Sequence, residues 1–345
     1  MFNTSTNISS QGEDLKLIAT TLTIITIAFA SLNVLSCTVI ILRLAFHAKC
    51  QRYNAKHSAR RIGILHSINT FIHIDGQCLV VLIMASRTLY SDFYIVEKES
   101  SSPPSWHCRL LNYFISMFAA GIYGTCFLQS LFRFWRIMRP HRCIYHKFTF
   151  HCQLVVFHWI LIIIISVPVW FRSIYLSSEN YCLNRFSDTW ASIYISITSA
   201  AVPISGIIIV YLKIVVYMNN VWSTRKRWRR MERDRLMIKR ILLLVFVLSS
   251  SSSAAVLLWL LMFIQQRLHP LSYRLLCLII QIGMLMCIIT LLLVSPPLRR
   301  ALLTTKTRHY RKKQDTNSSS DNSNPKLDGH GIMETHTEFL SSQTS

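Results

Sequence analysis

One carboxylate stands in the middle of an otherwise apolar stretch, and it is the residue of this chain with the plainest chemical consequence. Asp75 lies in Phe71-Ile72-His73-Ile74-Asp75-Gly76-Gln77. A charge among apolar neighbours is expensive, so Asp75 is expected to face inward and to be hydrogen-bonded, either to Asn33 or to a backbone carbonyl. His66 and His73 precede it. With no Cys or carboxylate at ligand spacing beside them, both are expected to pack rather than bind a metal. Arg133 follows in Leu131-Phe132-Arg133-Phe134-Trp135. No nucleophile–base pair and no metal cluster can be assembled from the sequence, so the chain is not expected to be an enzyme.

The elements that must hold these residues are long and apolar. The chain has 345 residues, 52% hydrophobic and only 15% charged, which is too apolar for an ordinary globular domain. A helix that crosses a bilayer needs about 20 predominantly apolar residues. Seven stretches qualify: Leu17–Leu44, Ile62–Ser86, Arg109–Met138, Leu154–Tyr175, Thr189–Met218, Met237–Ile264 and Leu271–Leu293. Asp75 is the one acidic residue within them. They are apolar on all faces, as helices that meet lipid are, and lack the alternation of membrane strands.

A formal net charge of +22 would point to nucleic acid in a soluble protein, but the bases fall in every second loop. Arg43 to Arg61 follow the first stretch, Arg136 to Lys147 the third, Arg225 to Arg235 the fifth, and Arg299 to Lys313 the seventh. The other loops mix bases with Asp92, Glu97, Glu99, Glu179 and Asp188. The positive-inside rule puts the basic loops in the cytoplasm and the N-terminus outside. The expected fold is therefore an all-α membrane protein, a seven-transmembrane helix bundle. Residues 1–15 form an extracellular N-terminal tail, 16–303 the membrane domain, and 304–345 a disordered cytoplasmic tail. The first segment carries two glycosylation sequons, at Asn3 and Asn7. It lacks a basic stretch before the first span, which is expected to stay as a signal anchor. Of ten cysteines only Cys108 and Cys182 fall in extracellular positions, a disulfide candidate whose alternative is two unpaired thiols.

Cys108 and Arg133 stand twenty-five residues apart, about 37 Å along a helix at ~1.5 Å per residue, or one membrane crossing. Pro140 follows seven residues later. This spacing resembles the rhodopsin-like (class A) G-protein-coupled receptors, which have a disulfide cysteine at the head of the third helix, an Arg at its foot and a Pro in the second cytoplasmic loop. Asn33, Asp75, Trp159, Pro168, and Pro203 with Tyr211 eight residues on, stand in order with that family's markers from Leu17 to Leu303. The resemblance implies an extracellular ligand, a heterotrimeric G protein reached through Arg133 and the basic second and third loops, and a plasma-membrane location. It further implies a sodium ion near Asp75, and a receptor kinase and arrestin acting on Ser and Thr of Thr304–Ser345.

Three departures qualify it. Phe132 replaces the family's acid before Arg133, so basal activity is raised or another acid, Glu232 or Asp234, restrains Arg133. The sixth stretch has Ser249, Ser250, Ser251, Ser252 and Ser253 where the family has Cys-Trp-x-Pro. These serines make either a soft hinge by bonding back to carbonyls or a small-residue packing face, with Pro203 a second bend. The seventh stretch lacks Asn-Pro-x-x-Tyr, yet Ser295 and Pro296 can start a short amphipathic helix eight over Pro297–Thr305. Ile115 stands where amine receptors of the family carry an Asp, so a peptide or other non-amine ligand is expected. The alternatives are a seven-span chemoreceptor, a receptor-like protein that does not couple, or a transporter, against which the lack of an inverted repeat counts.

Overall fold

The computed structural model describes residues 5–50, 58–93, 106–139, 142–172, 174–176, 181–183, 188–220 and 271–294, with parts of 242–264. Asn3, Pro140, Ser251, Glu232 and Asp234 lie outside them. So do the basic third loop, the expected helix eight and the tail 304–345, and the side chains of Asn7 and Cys182.

Six helices are long and apolar enough to cross a membrane: Asp14–Phe46, Arg61–Phe93, Trp106–Met138, Phe148–Arg172, Thr189–Tyr217 and Ser272–Leu293. They lie on the expected first five spans and the seventh. Where the sixth was expected, the described residues show a shorter apolar helix, Val245–Leu258. In chain order the elements are α1 (Ser5–Cys50), α2 (Ser58–Phe93), α3 (Trp106–Met138), α4 (Phe148–Arg172), the hairpin β1 (Ile174–Leu176) and β2 (Tyr181–Leu183), α5 (Thr189–Ile195), α6 (Val202–Asn220), α7 (Val245–Leu258) and α8 (Ser272–Val294). Large side chains such as Leu35, Leu42, Phe46, Val156, Phe157, Ile164 and Phe171 are exposed on the outside of the bundle. An apolar outer surface of this extent suits lipid.

The second and third helices are the most enclosed. α2 packs against α1, α3, α4 and α8, and α3 against α2, α4 and α6. The main core joins Phe71, Ile74, Ile122, Ile207, Ile214 and Ile288 from four of these helices. α5 begins at an Asp188 cap whose carboxylate accepts from the Ala191 N–H at 3.2 Å. A π-helical turn, Ser196–Ala201, joins it to α6. Pro203 follows directly. A proline has no N–H to give and its ring crowds the carbonyl four residues back, so the helix widens there.

The structure corrects four expectations. α1 starts at Ser5, so Asn7 lies on a helix rather than in a separate tail; lengthening an existing helix adds a hydrogen bond per residue without a new nucleus. The fourth span runs Phe148–Arg172, and Tyr175, expected at its end, pairs with Cys182 in the β1–β2 hairpin. α2 continues past Ser86 to Phe93, which takes Asp92 out of the expected outer loop and onto a helix. Asp75 is therefore not the one acidic residue within a span.

Asp92 is the more constrained of the two. Arg274 on α8 is 5% exposed and holds it with two parallel hydrogen bonds, Nη1 to Oδ2 at 2.6 Å and Nη2 to Oδ1 at 2.8 Å. Arg274 Nη1 also donates to Thr23 Oγ1 of α1 at 2.9 Å, while the Thr23 hydroxyl donates to the Ala19 carbonyl. One guanidinium thus ties α1, α2 and α8 at the Cys108 end of the bundle. Removing one member strands a buried charge, at a cost of about 3–5 kcal/mol, whereas replacing both with apolar groups is near neutral. Accordingly, Asp92→Ala is expected to lower the thermal unfolding midpoint of the purified protein in detergent sharply, and Asp92→Leu combined with Arg274→Met to recover most of the loss. An unchanged midpoint in Asp92→Ala would remove this tie from the account.

Candidate functional site

Arg133 is the residue around which the described polar groups at its end of the bundle are arranged. α3 carries it one turn from its own C-terminus, and its guanidinium lies within interaction range of the Tyr211 hydroxyl of α6. Tyr211 is buried, and its Oη lies 3.4 Å from Ser130 Oγ. Ser130 Oγ is also 2.9 Å from the Cys126 carbonyl, which can only accept. Ser130, with one proton to give, has the Cys126 carbonyl at the shorter distance and the Tyr211 hydroxyl at the longer. Tyr211 on α6 is thus one partner that holds Arg133. Phe132, the residue in the acid's place, turns away from these groups. It is buried, with its ring edge-on to His151 at 4.9 Å and 6.0 Å from His66.

Mid-bundle, Tyr123 of α3 donates to the Leu248 carbonyl at 3.1 Å and meets the Ser252 hydroxyl of α7. Ser250 and Ser253 bond back to the carbonyls of Val247 and Ser250, at 2.8 Å and 2.7 Å. Two serines bond along their own helix and a third joins α7 to α3.

The Asn33–Asp75 hydrogen bond expected from the sequence is not formed. Asn33 Nδ2 donates to the Gln281 carbonyl at 2.9 Å and to Gln281 Oε1 at 3.1 Å on α8, and Thr38 is the hydroxyl that bonds Asp75. An amide has two N–H bonds to give, and Gln281 offers acceptors for both where a single carboxylate oxygen would leave one unspent. Asn33 Oδ1 and Asp75 Oδ1 are both buried and without a hydrogen-bond partner. Two bare oxygens on neighbouring helices are donors of the kind a hard cation takes.

A second polar concentration lies between α2, α3 and α4. His66 and His73 of α2, and His151 and His158 of α4, are each seven residues apart and all buried. His66 Nε2 is 3.2 Å from His151 Nδ1. His73 stacks on Trp159 at 4.3 Å and stands edge-on to His158 at 5.5 Å, while Trp159 Nε1 donates to Asn69 Oδ1 at 2.9 Å. Among the described residues no group of three or more metal-ligating side chains occurs. Gly121 and Gly124 of α3 make the room: a Cβ on either would collide with the ring of His73 or His158.

At the opposite end, Cys108 is disulfide-bonded, and α3 packs against the strand that carries Cys182. Beneath it Val80, Val81, Met84, Cys108 and Cys277 form an apolar cluster, against which Ile115 and Phe118 pack. The Asp92–Arg274–Thr23 tie borders this end and was missed from the sequence. Its signal was Arg274 itself, a base three residues into an apolar stretch and thus in need of a carboxylate.

The structure brings together Arg133 with Tyr211, and Ser252 with Tyr123. It does not bring Asn33 to Asp75 in a bond. No family model and no curated protein matches the chain.

The close approach of α3 to the histidines has a direct test. Gly121→Val is expected to lower the unfolding midpoint strongly, since overpacking commonly costs about 1–3 kcal/mol or more. Adding His73→Ala should return part of it, giving a coupling energy of about 1 kcal/mol or more in the double-mutant cycle. Additive losses would mean that the two positions do not meet.

Proposed function

We propose that the chain is a seven-span receptor of the rhodopsin-like kind, N-terminus outside, that binds an extracellular non-amine ligand and activates a heterotrimeric G protein at the plasma membrane. The observation that carries this reading is α3. One helix is disulfide-bonded at Cys108 near one end and holds Arg133 at the other, against Tyr211 on α6, the helix that carries Pro203. That is the order of markers on which the resemblance rests, now with two of them in contact. Basic loops at the Arg133 end favour its facing the cytoplasm.

In this reading Cys108 pairs with Cys182 and ties the β1–β2 hairpin over the apolar cluster at Ile115, where the ligand enters. An apolar lining with no carboxylate at Ile115 fits a peptide side chain or another non-amine group. A sodium ion, if part of the resting state, is held by Asp75 with Asn33 Oδ1 and supplies a positive charge beside the buried carboxylate. Val245–Leu258 belongs to a sixth span, and the back-bonding serines there stand in for the missing proline as the place where it bends. Phosphorylation of Ser and Thr in Thr304–Ser345 by a receptor kinase, followed by arrestin, would end the signal.

Arg133→Ala is the decisive variant, because it removes the donor while leaving the apolar face of α3 intact. In cells with matched surface levels, second-messenger output without added ligand is expected to exceed the vector control for the wild type and to fall at least about tenfold, toward that control, for Arg133→Ala. A wild-type signal that Arg133→Ala leaves intact would overturn coupling through this end. A flat response from both would favour a receptor-like protein that does not couple. Separately, Cys182→Ser should abolish the mobility shift that reduction of Cys108 produces on non-reducing gels; a shift that survives would assign Cys108 another partner.

A further inference from the structure

The hydrogen bonds that leave His151 determine its protonation pattern. His151 Nε2 lies 3.0 Å from the Tyr145 carbonyl oxygen. A carbonyl only accepts, so Nε2 carries a proton. In a neutral ring Nδ1 is then the acceptor, and the 3.2 Å contact places the other proton on His66 Nε2. His66 Nδ1 is left bare, and it is indeed buried without a partner. One carbonyl in a loop thereby sets both tautomers, and the relay runs from α2 through α4 to the turn after α3.

That turn, Cys143–His146, is a single 3-10 turn whose own hydrogen bonds are long: Tyr145 N–H to the Arg142 carbonyl at 3.3 Å and Lys147 N–H to the Ile144 carbonyl at 3.2 Å. It is held from outside instead, at three points on Tyr145. The carbonyl accepts from His151. The ring stacks on Trp135 of α3 at 5.1 Å and 10°. The hydroxyl lies 3.5 Å from Arg139 Nη1. Phe132 closes the apolar side of the same cluster, edge-on to His151.

We propose that His66 and His151 are positioning residues that fix the Cys143–His146 turn between α3 and α4 against the face of α3 that carries Phe132 and Trp135. Phe132 keeps the pair dry, and in a dry site a neutral imidazole pair delivers a strong hydrogen bond to the Tyr145 carbonyl. The anchoring itself is independent of what the protein signals to; its consequence for output rests on the coupling reading above.

The test has two arms on the full-length protein. In the first, hydrogen–deuterium exchange is followed at the amides of Tyr145 and Lys147, with the amides of 155–165 in α4 as the control for global loosening. His151→Leu keeps the bulk and removes both polar atoms, and should speed exchange in the turn at least about tenfold with the α4 control unchanged. His151→Gln retains an N–H where Nε2 stands and should restore exchange to within about threefold of wild type. His66→Leu, on a different helix, should show the same direction with a smaller effect. Unchanged exchange in His151→Leu, equal speeding in α4, or no rescue by Gln overturns the proposal.

The second arm reads ligand-independent output at matched surface levels. His151→Leu should lower it about tenfold and His151→Gln should recover most of it. Output that depends on Arg133 but not on His151 overturns the positioning role. Where Arg133→Ala also leaves output unchanged, the coupling reading is what fails, and the exchange arm alone decides the anchor.

Discussion

Inside this bundle there is no bulk water to fall back on, and that constraint organises the rest. A polar side chain between the helices must find its partner on another helix, bond back to a carbonyl of its own, or remain unpaired at a cost of a few kcal/mol. The cross-ties follow that demand at three levels. Arg274 meets Asp92 and Thr23 at the Cys108 end, Asn33 meets Gln281 and Tyr123 meets Leu248 near the middle, and Arg133 meets Tyr211 at the far end. Each joins helices far apart in sequence. Between apolar surfaces that slide over each other with little penalty, such directional contacts are what set register and rotation.

The orphaned atoms are as informative as the satisfied ones. Both nitrogens of His73 and of His158, Nδ1 of His66 and Nδ2 of Asn69 are buried without partners, all in the α2–α3–α4 interface. Ring packing explains why they sit there. Gly121 and Gly124 let α3 lie directly against two imidazoles, and Trp159 covers a third face. Around these rings the interface gains close contact and forgoes hydrogen bonds to the imidazoles of His73 and His158. The lower pair, His66 and His151, escapes that trade because the Tyr145 carbonyl is within reach.

Phe132 shows how one replacement propagates. Arg133 meets Tyr211, a contact that links α3 to α6. The Phe132 ring in turn joins the histidine pair and the Trp135–Tyr145 stack. The residue before Arg133 is thus part of a cluster that spans α2, α3, α4 and the turn between the last two.

Much of the architecture was legible in the amino-acid order because its causes are local. About twenty apolar residues make a membrane-length helix wherever they occur, and six of the seven expected spans coincide with described helices. Helix ends were less legible. α2 runs on to Phe93 because Asp92 is neutralised by a residue 182 positions away, and no window of sequence contains that partner. The same holds for the candidate site. Arg133 and Tyr211 could be named only through the resemblance that their spacing carries, and the serine cluster from hydroxyls standing in an apolar stretch. Which of them meet could not. Asn33 chose Gln281 over Asp75, Ser252 rather than its neighbours met Tyr123, and His151 reached a loop carbonyl. The sequence by itself determined where most of the membrane-length apolar segments lie and several of the polar residues that need partners. Only the tertiary structure decided the partners, because a hydrogen bond depends on ångström-scale distance and angle between helices that the chain brings together from its far ends.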